Sequence, residues 1–150
     1  MKIEKILQLT QDVTLTKQVI FNVAYSQNYI LEKISETLKP YEISLEQFNV
    51  LRILRGQKGK PANMGTIQER MLAKTSNTTR LVDKLLAKKY VTRTVCSENR
   101  RKIEVKITYE GLKLLEVVDG LVEEAENKLL RNFTEQDKEQ LIDLLEKFRN

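Results

Sequence analysis

The sequence predicts a mainly α-helical chain with one small β-hairpin. Three observations predict it. Apolar residues recur at helical spacing through most of the 150 residues. Strict apolar–polar alternation appears in Ile103, Val105 and Ile107, set against Glu104 and Lys106, and a basic loop, Ser97–Arg101, joins that run to the β-rich Tyr90–Cys96. Positive charge gathers around the hairpin: residues 56–110 carry 13 Lys/Arg against 5 Asp/Glu, whereas residues 1–55 have a net charge of +1 and residues 111–150 one of −4.

The elements follow in order. Ile3, Ile6 and Leu7 suit a short helix or an arm. From Thr16 to Leu38, apolar residues from Val19 to Ile34 mark a long helix that should stop before Pro40. Its apolar content exceeds what a thin surface helix needs, which suits packing on a partner chain as well as burial within one. Ser44 and Gln47 form a capping box, flanked by Ile43 and Phe48 at staple positions, for a helix that ends near Gly56. A polar loop punctuated by Gly59 and Pro61 follows. Asn63 can cap a short helix with Met64, Ile67 and Met71 on one face.

After the turn Leu72-Ala73-Lys74, a second helix is expected from about Ser76 to Lys88, a spacing that matches a helix-turn-helix. At 100° per residue, Thr78, Leu81, Val82, Leu85 and Leu86 face inward. Ser76, Arg80, Asp83, Lys84 and Ala87 face outward. Small residues at the leading end let such a helix sit deep in a DNA major groove, and Arg can donate two hydrogen bonds to guanine. The bland reading of the same face is an exposed Arg80–Asp83 pair. The hairpin tip, Arg100-Arg101, can enter a neighbouring minor groove, where Arg is favoured by the negative potential; a solvated turn is the plain alternative. From Tyr109, apolar residues Leu112 to Leu129 mark a long helix to about Asn132, and Thr134 caps a last one through Phe148.

Composition excludes several classes of function. There is no histidine, so no His-based acid–base, triad or zinc chemistry is expected. No Gly-rich phosphate loop is present, and no cofactor or metal is expected. The single cysteine, Cys96, cannot form an intrachain disulfide and suits a reducing, cytoplasmic home. Its neighbours Arg100, Arg101 and Lys102 leave a redox role open beside simple packing. The start lacks the apolar core of a signal peptide, and no run reaches the roughly 18 apolar residues of a membrane span.

This element order resembles the MarR family of bacterial winged helix-turn-helix regulators over about Thr16 to Phe148. The similarity is strongest in Leu81-Val82-Asp83-Lys84-Leu85, in Tyr90-Val91-Thr92-Arg93, and from Asn99 to Gly111. Arg101, Ile107, Thr108 and Gly111 fit the family's wing pattern; Asn99 stands where the family usually has Asp. The resemblance implies one domain over residues 1–150. Residues 56–108 would be the DNA-binding lobe, with helical dimerisation regions at 1–38 and 109–150. It implies a homodimeric repressor that binds double-stranded DNA at a pseudo-palindromic operator and is released by a small-molecule effector. The alternative is a winged-helix module for protein–protein interaction; an enzyme is not expected. Carried over by position, Thr75, Ser76, Asn77, Thr79, Arg80 and Lys84 are the recognition-helix candidates. Arg101 is the minor-groove candidate, with Arg100 and Lys102 beside it. Tyr25 and Tyr29, one helical turn apart, are the candidates for lining an effector pocket, with ordinary packing as the plainer reading. The redox mode known in the family uses a cysteine in the first long helix, and that helix has none here.

Overall fold

The computed structural model describes residues 2–8, 13–74, 77–99 and 102–150. Among the described residues, seven α-helices and three short strands run in the order α1 (Ile3–Ile6), α2 (Leu15–Leu38), α3 (Leu45–Arg55), β1 (Ala62–Asn63), α4 (Met64–Arg70), α5 (Thr78–Ala87), β2 (Val91–Val95), β3 (Ile103–Ile107), α6 (Tyr109–Leu129) and α7 (Glu135–Glu146). The fold is therefore mainly helical with a small antiparallel sheet, as the periodicities predict.

Helix starts follow the side chains that can accept from free N–H groups. Ser44 and Gln47 make the reciprocal capping box of α3: the Gln47 N–H donates to Ser44 Oγ at 3.1 Å, and the Ser44 N–H donates to Gln47 Oε1 at 2.9 Å. Thr14, Asn63, Asn77, Thr108 and Thr134 cap α2, α4, α5, α6 and α7. One boundary departs from expectation: α2 starts at Leu15, one residue early, with Thr14 as its cap. The α-helix stops at Leu38, before Pro40, as expected. Pro40 sits in the first turn of a 3-10 segment, Lys39–Tyr41, where its missing N–H is not needed.

The sheet order is β1-β3-β2, all antiparallel. No periodicity in the sequence marks β1. It is two residues long, and Asn63 serves both as Glu104's partner in the ladder and as the cap of α4. In the hairpin, Val91 pairs with Ile107, Arg93 with Val105, and Val95 with Ile103. Val91 and Val105 are buried, whereas Val95 is 61% exposed. The hairpin thus leaves the core as it extends.

Phe48, Val50, Leu51 and Leu54 of α3 form the centre of the core with Ile67, Val82, Leu85, Val105, Leu115 and Val118. Helix α3 packs on α5, α6 and β3, while α2 packs chiefly on α6. Arg55 of α3 donates to the Asp119 carboxylate of α6 and ties the two elements at the surface. Helix α7 buries none of its residues within the single chain.

The join between the hairpin and α6 explains the Thr108…Gly111 spacing. The Thr108 N–H donates to the Tyr90 carbonyl at 3.0 Å, and its hydroxyl donates to the Lys89 carbonyl at 2.8 Å. The same hydroxyl accepts from the Gly111 N–H at 3.1 Å. A Cβ at Gly111 would collide with the Tyr90 carbonyl oxygen and lie 2.8 Å from the Ile107 side chain, so only glycine fits there.

Candidate nucleic-acid interface

Helix α5 begins at Thr78, two residues later than periodicity suggests. The reason is Asn77: its side-chain oxygen accepts from the Arg80 N–H at 3.0 Å, so it caps the helix instead of lying on its face. Residues 71–77 connect α4 to α5, a longer link than Leu72-Ala73-Lys74 alone. Met71 is buried as expected, but on extended backbone at the end of α4.

The inward and outward faces of α5 are as the spacing predicts. Thr78, Val82 and Leu85 are buried. Thr79, Arg80, Asp83 and Lys84 are exposed along the opposite edge. The expected Arg80–Asp83 pair does not form. Asp83 instead accepts from Arg93 on β2 at 2.7 Å, across from the helix to the hairpin. Arg93 is the residue that breaks the apolar face of β2, and this contact is its explanation. No ion pair is found for Arg80 or Lys84 among the described residues, which leaves both cations facing solvent.

The C-terminal end of α5 sets where the hairpin starts. Lys89 adopts the left-handed conformation, φ 63°. The Tyr90 N–H donates to the Leu85 carbonyl and the Lys89 N–H to the Leu86 carbonyl, each at 3.0 Å. This is a Schellman turn with lysine in the place glycine favours. It turns the chain directly from α5 into β2.

At the far end of the hairpin, the Cys96 N–H donates to the Lys102 carbonyl and the Lys102 N–H to the Asn99 carbonyl, each at 2.8 Å. Lys102 is exposed, and Cys96 is half-buried and a free thiol. The candidates Thr75, Ser76, Arg100 and Arg101 lie outside the described residues. What the structure brings together is Thr79, Arg80 and Lys84 at one helix edge, with Asn77 as the cap before them, joined through Asp83 and Arg93 to the hairpin that carries Lys102.

The two tyrosines of α2 part company. Tyr29 lines a cleft of about 670 Å³ between α2 and α6, together with Lys33, Thr37, Leu121, Ala125 and Leu129. Tyr25 is exposed and is not among the residues lining that cleft. Two ion pairs line it, one within each helix. Lys33 donates to Glu36 at 2.8 Å, a hydrogen bond that holds Lys33 above its ordinary pKa. Lys128 stands 2.6 Å from Glu124 and holds that carboxyl below its ordinary range. No helix among the described residues is long and apolar enough to cross a membrane.

Residues 43–103 match the model of the MarR family. The HTH-type transcriptional regulator SarZ of Staphylococcus epidermidis is 25% identical over 134 residues, which is 89% of this chain and 88% of that protein. A crystal structure of a MarR transcription factor from Planctomyces limnophilus has a TM-score of 0.72 and 29% identity, over 91% of this chain and 98% of that one. A mutant MarR from E. coli, crystallised with operator DNA, has a TM-score of 0.78 and 24% identity, over 91% and 99%. The match to the family model spans α3, the helix-turn-helix and the start of the wing, and the structural likenesses extend over the flanking helices. Residues 43–103 thus carry the MarR family match, and over nearly its whole length the chain is similar to winged-helix transcriptional regulators of that family.

Proposed function

We propose that the protein binds a pseudo-palindromic operator as a homodimer, acts as a repressor in the cytoplasm, and is released by a small-molecule effector. The observation that carries the reading is the edge of α5. Thr79, Arg80 and Lys84 are exposed there, their cations unpaired among the described residues, beside a hairpin fixed to the same helix. Phosphate contacts would position this edge, and contacts to base edges would specify the sequence. Asn77 and Lys102 flank it, and Thr75, Ser76, Arg100 and Arg101 join it by sequence position. Residues 56–108 would form the DNA-binding lobe, and residues 1–38 and 109–150 the dimerisation region.

The dimer is supported by apolar side chains left open in the single chain. Val19, Ile20, Ile30 and Leu31 on α2, and Leu141, Ile142, Leu144 and Phe148 on and after α7, are all exposed. Large apolar side chains concentrated on the open faces of two helices suit an interaction surface. Two copies would space two α5 edges for half-sites about one helical turn apart. The mutant E. coli MarR of the same fold, crystallised with operator DNA, supports an operator as the partner. The Tyr29 cleft has a size that suits a small organic molecule. An effector there would act by binding one spacing of the two lobes more tightly than the other.

The test is stoichiometry. Sedimentation of the purified protein, alone and with a short duplex selected by it, should give two chains in solution and two chains per duplex. A monomer that binds as a monomer would refute the dimeric reading.

A further inference from the structure

Gln68 is the third residue from the end of α4, and its side-chain amide is used at both ends. Nε2 donates to the Lys74 carbonyl at 2.6 Å. Oε1 accepts from the Thr78 hydroxyl. Thr78 opens α5 and is only 5% exposed; among the described residues it is one of two buried polar residues, the other being Gln47 of the α3 capping box. A buried hydroxyl is kept where it has a partner, and here the partner comes from the preceding helix.

The geometry is specific. A carboxamide is planar, with donor and acceptor on opposite branches of one rigid group. Holding the Lys74 carbonyl with one branch and Thr78 with the other fixes the last turn of α4, the middle of the connection and the first residue of α5 relative to each other. Asn77 does a different job, because it caps the α5 backbone without reaching α4. Apolar contacts such as those of Ile67 and Val82 hold the two helices together, but they resist small rotations weakly because packing is not directional. Base contacts demand placement of side chains to fractions of an ångström, whereas phosphate attraction tolerates displacement.

We propose that Gln68 is a positioning residue: through Thr78 and the Lys74 carbonyl it sets the angle at which α5 is presented, and so governs base discrimination more than overall affinity for DNA. The proposal rests on the reading of α5 as the helix that reads DNA. It predicts a residue that touches no DNA and yet controls specificity.

The experiment compares two duplexes, one selected by the parent protein from a randomised pool and one scrambled duplex of equal length. Binding of the full-length chain is measured to both, over a series of salt concentrations. Gln68→Ala and Thr78→Val should each lower the ratio of selected to scrambled affinity about tenfold. Affinity for the scrambled duplex and its salt slope should stay at parental values. Thr78→Val keeps the shape of the buried side chain, so it reports on the hydroxyl even where Gln68→Ala perturbs folding. Thr78→Ser keeps the hydroxyl and should restore the ratio. A parental ratio in Thr78→Val, or an equal loss on both duplexes in every variant, would overturn the proposal. A parent protein that shows no preference between the duplexes would instead remove the reading of α5 on which it depends.

Discussion

Asp83 on α5 and Arg93 on β2 form a 2.7 Å ion pair that joins the helix to the hairpin. Both side chains remain well exposed, so the pair contributes at most about 1 kcal/mol to stability. Its effect on function is expected to be larger, because it sets the position of the wing beside the helix. Arg93→Ala and Asp83→Ala should leave the thermal midpoint within a few degrees of the parent and weaken binding to a selected duplex. The reversed pair, Asp83→Arg with Arg93→Asp, should recover part of the loss. Binding by the reversed pair that is no better than by either single variant would show that the two residues act separately.

Gly111 is required by shape. Gly111→Ala must displace the Tyr90 carbonyl or the Ile107 side chain, and both belong to the join between β3, α5 and α6. Overpacking of this kind costs about 1–3 kcal/mol. Urea denaturation should show that loss, with an unchanged slope. A midpoint equal to the parent's would mean that the join relaxes without cost.

Lys89 offers the opposite case. It is a non-glycine residue in the left-handed region at the end of α5. Its side chain is exposed, so little packing is lost on truncation. Lys89→Gly is expected to stabilise the protein by roughly 0.5–1 kcal/mol, the left-handed strain relieved less the added freedom of the unfolded chain. Chemical denaturation measures it directly, and destabilisation by the same amount would refute the assignment of strain.

The open apolar face of α7 gives a test of assembly. Leu144 is 57% exposed in the single chain. Leu144→Glu should yield monomers by sedimentation while circular dichroism stays helical, and binding to the selected duplex should fall with the loss of the second half-site. A dimer of parental affinity would place the contact elsewhere.

Much of this was legible in the sequence because the signals are local. The Ser44–Gln47 box, the Thr134 cap and the outward edge Arg80–Asp83–Lys84 depend on residues within one or two turns of each other. What escaped was set by contacts between distant segments. Strand β1 is two residues long and exists only because Ala62 and Asn63 lie beside Val105 and Glu104. Asp83 suits Arg80 by spacing, but Arg93 competes from ten residues away and wins, because the Schellman turn brings β2 back along α5. Gln68 reads as one more polar residue on a short helix, and only the fold shows that both ends of its amide are used. The family pattern placed Thr108 and Gly111 correctly, and the structure supplies their reason in the Tyr90 carbonyl.

Selection from a randomised duplex pool shows whether the α5 edge and the wing read DNA in two copies. The purified parent, Arg80→Ala and Arg101→Ala would be run in parallel. The parent should enrich an inverted repeat with half-sites about 10 base pairs apart, centre to centre. Arg80→Ala should flatten the preference at one symmetric pair of positions by about 1–3 kcal/mol. Arg101→Ala should keep the consensus and bind it far more weakly. No enriched repeat from the parent, or the same profile and affinity from all three proteins, would mean that the α5 edge and the wing do not read DNA in two copies.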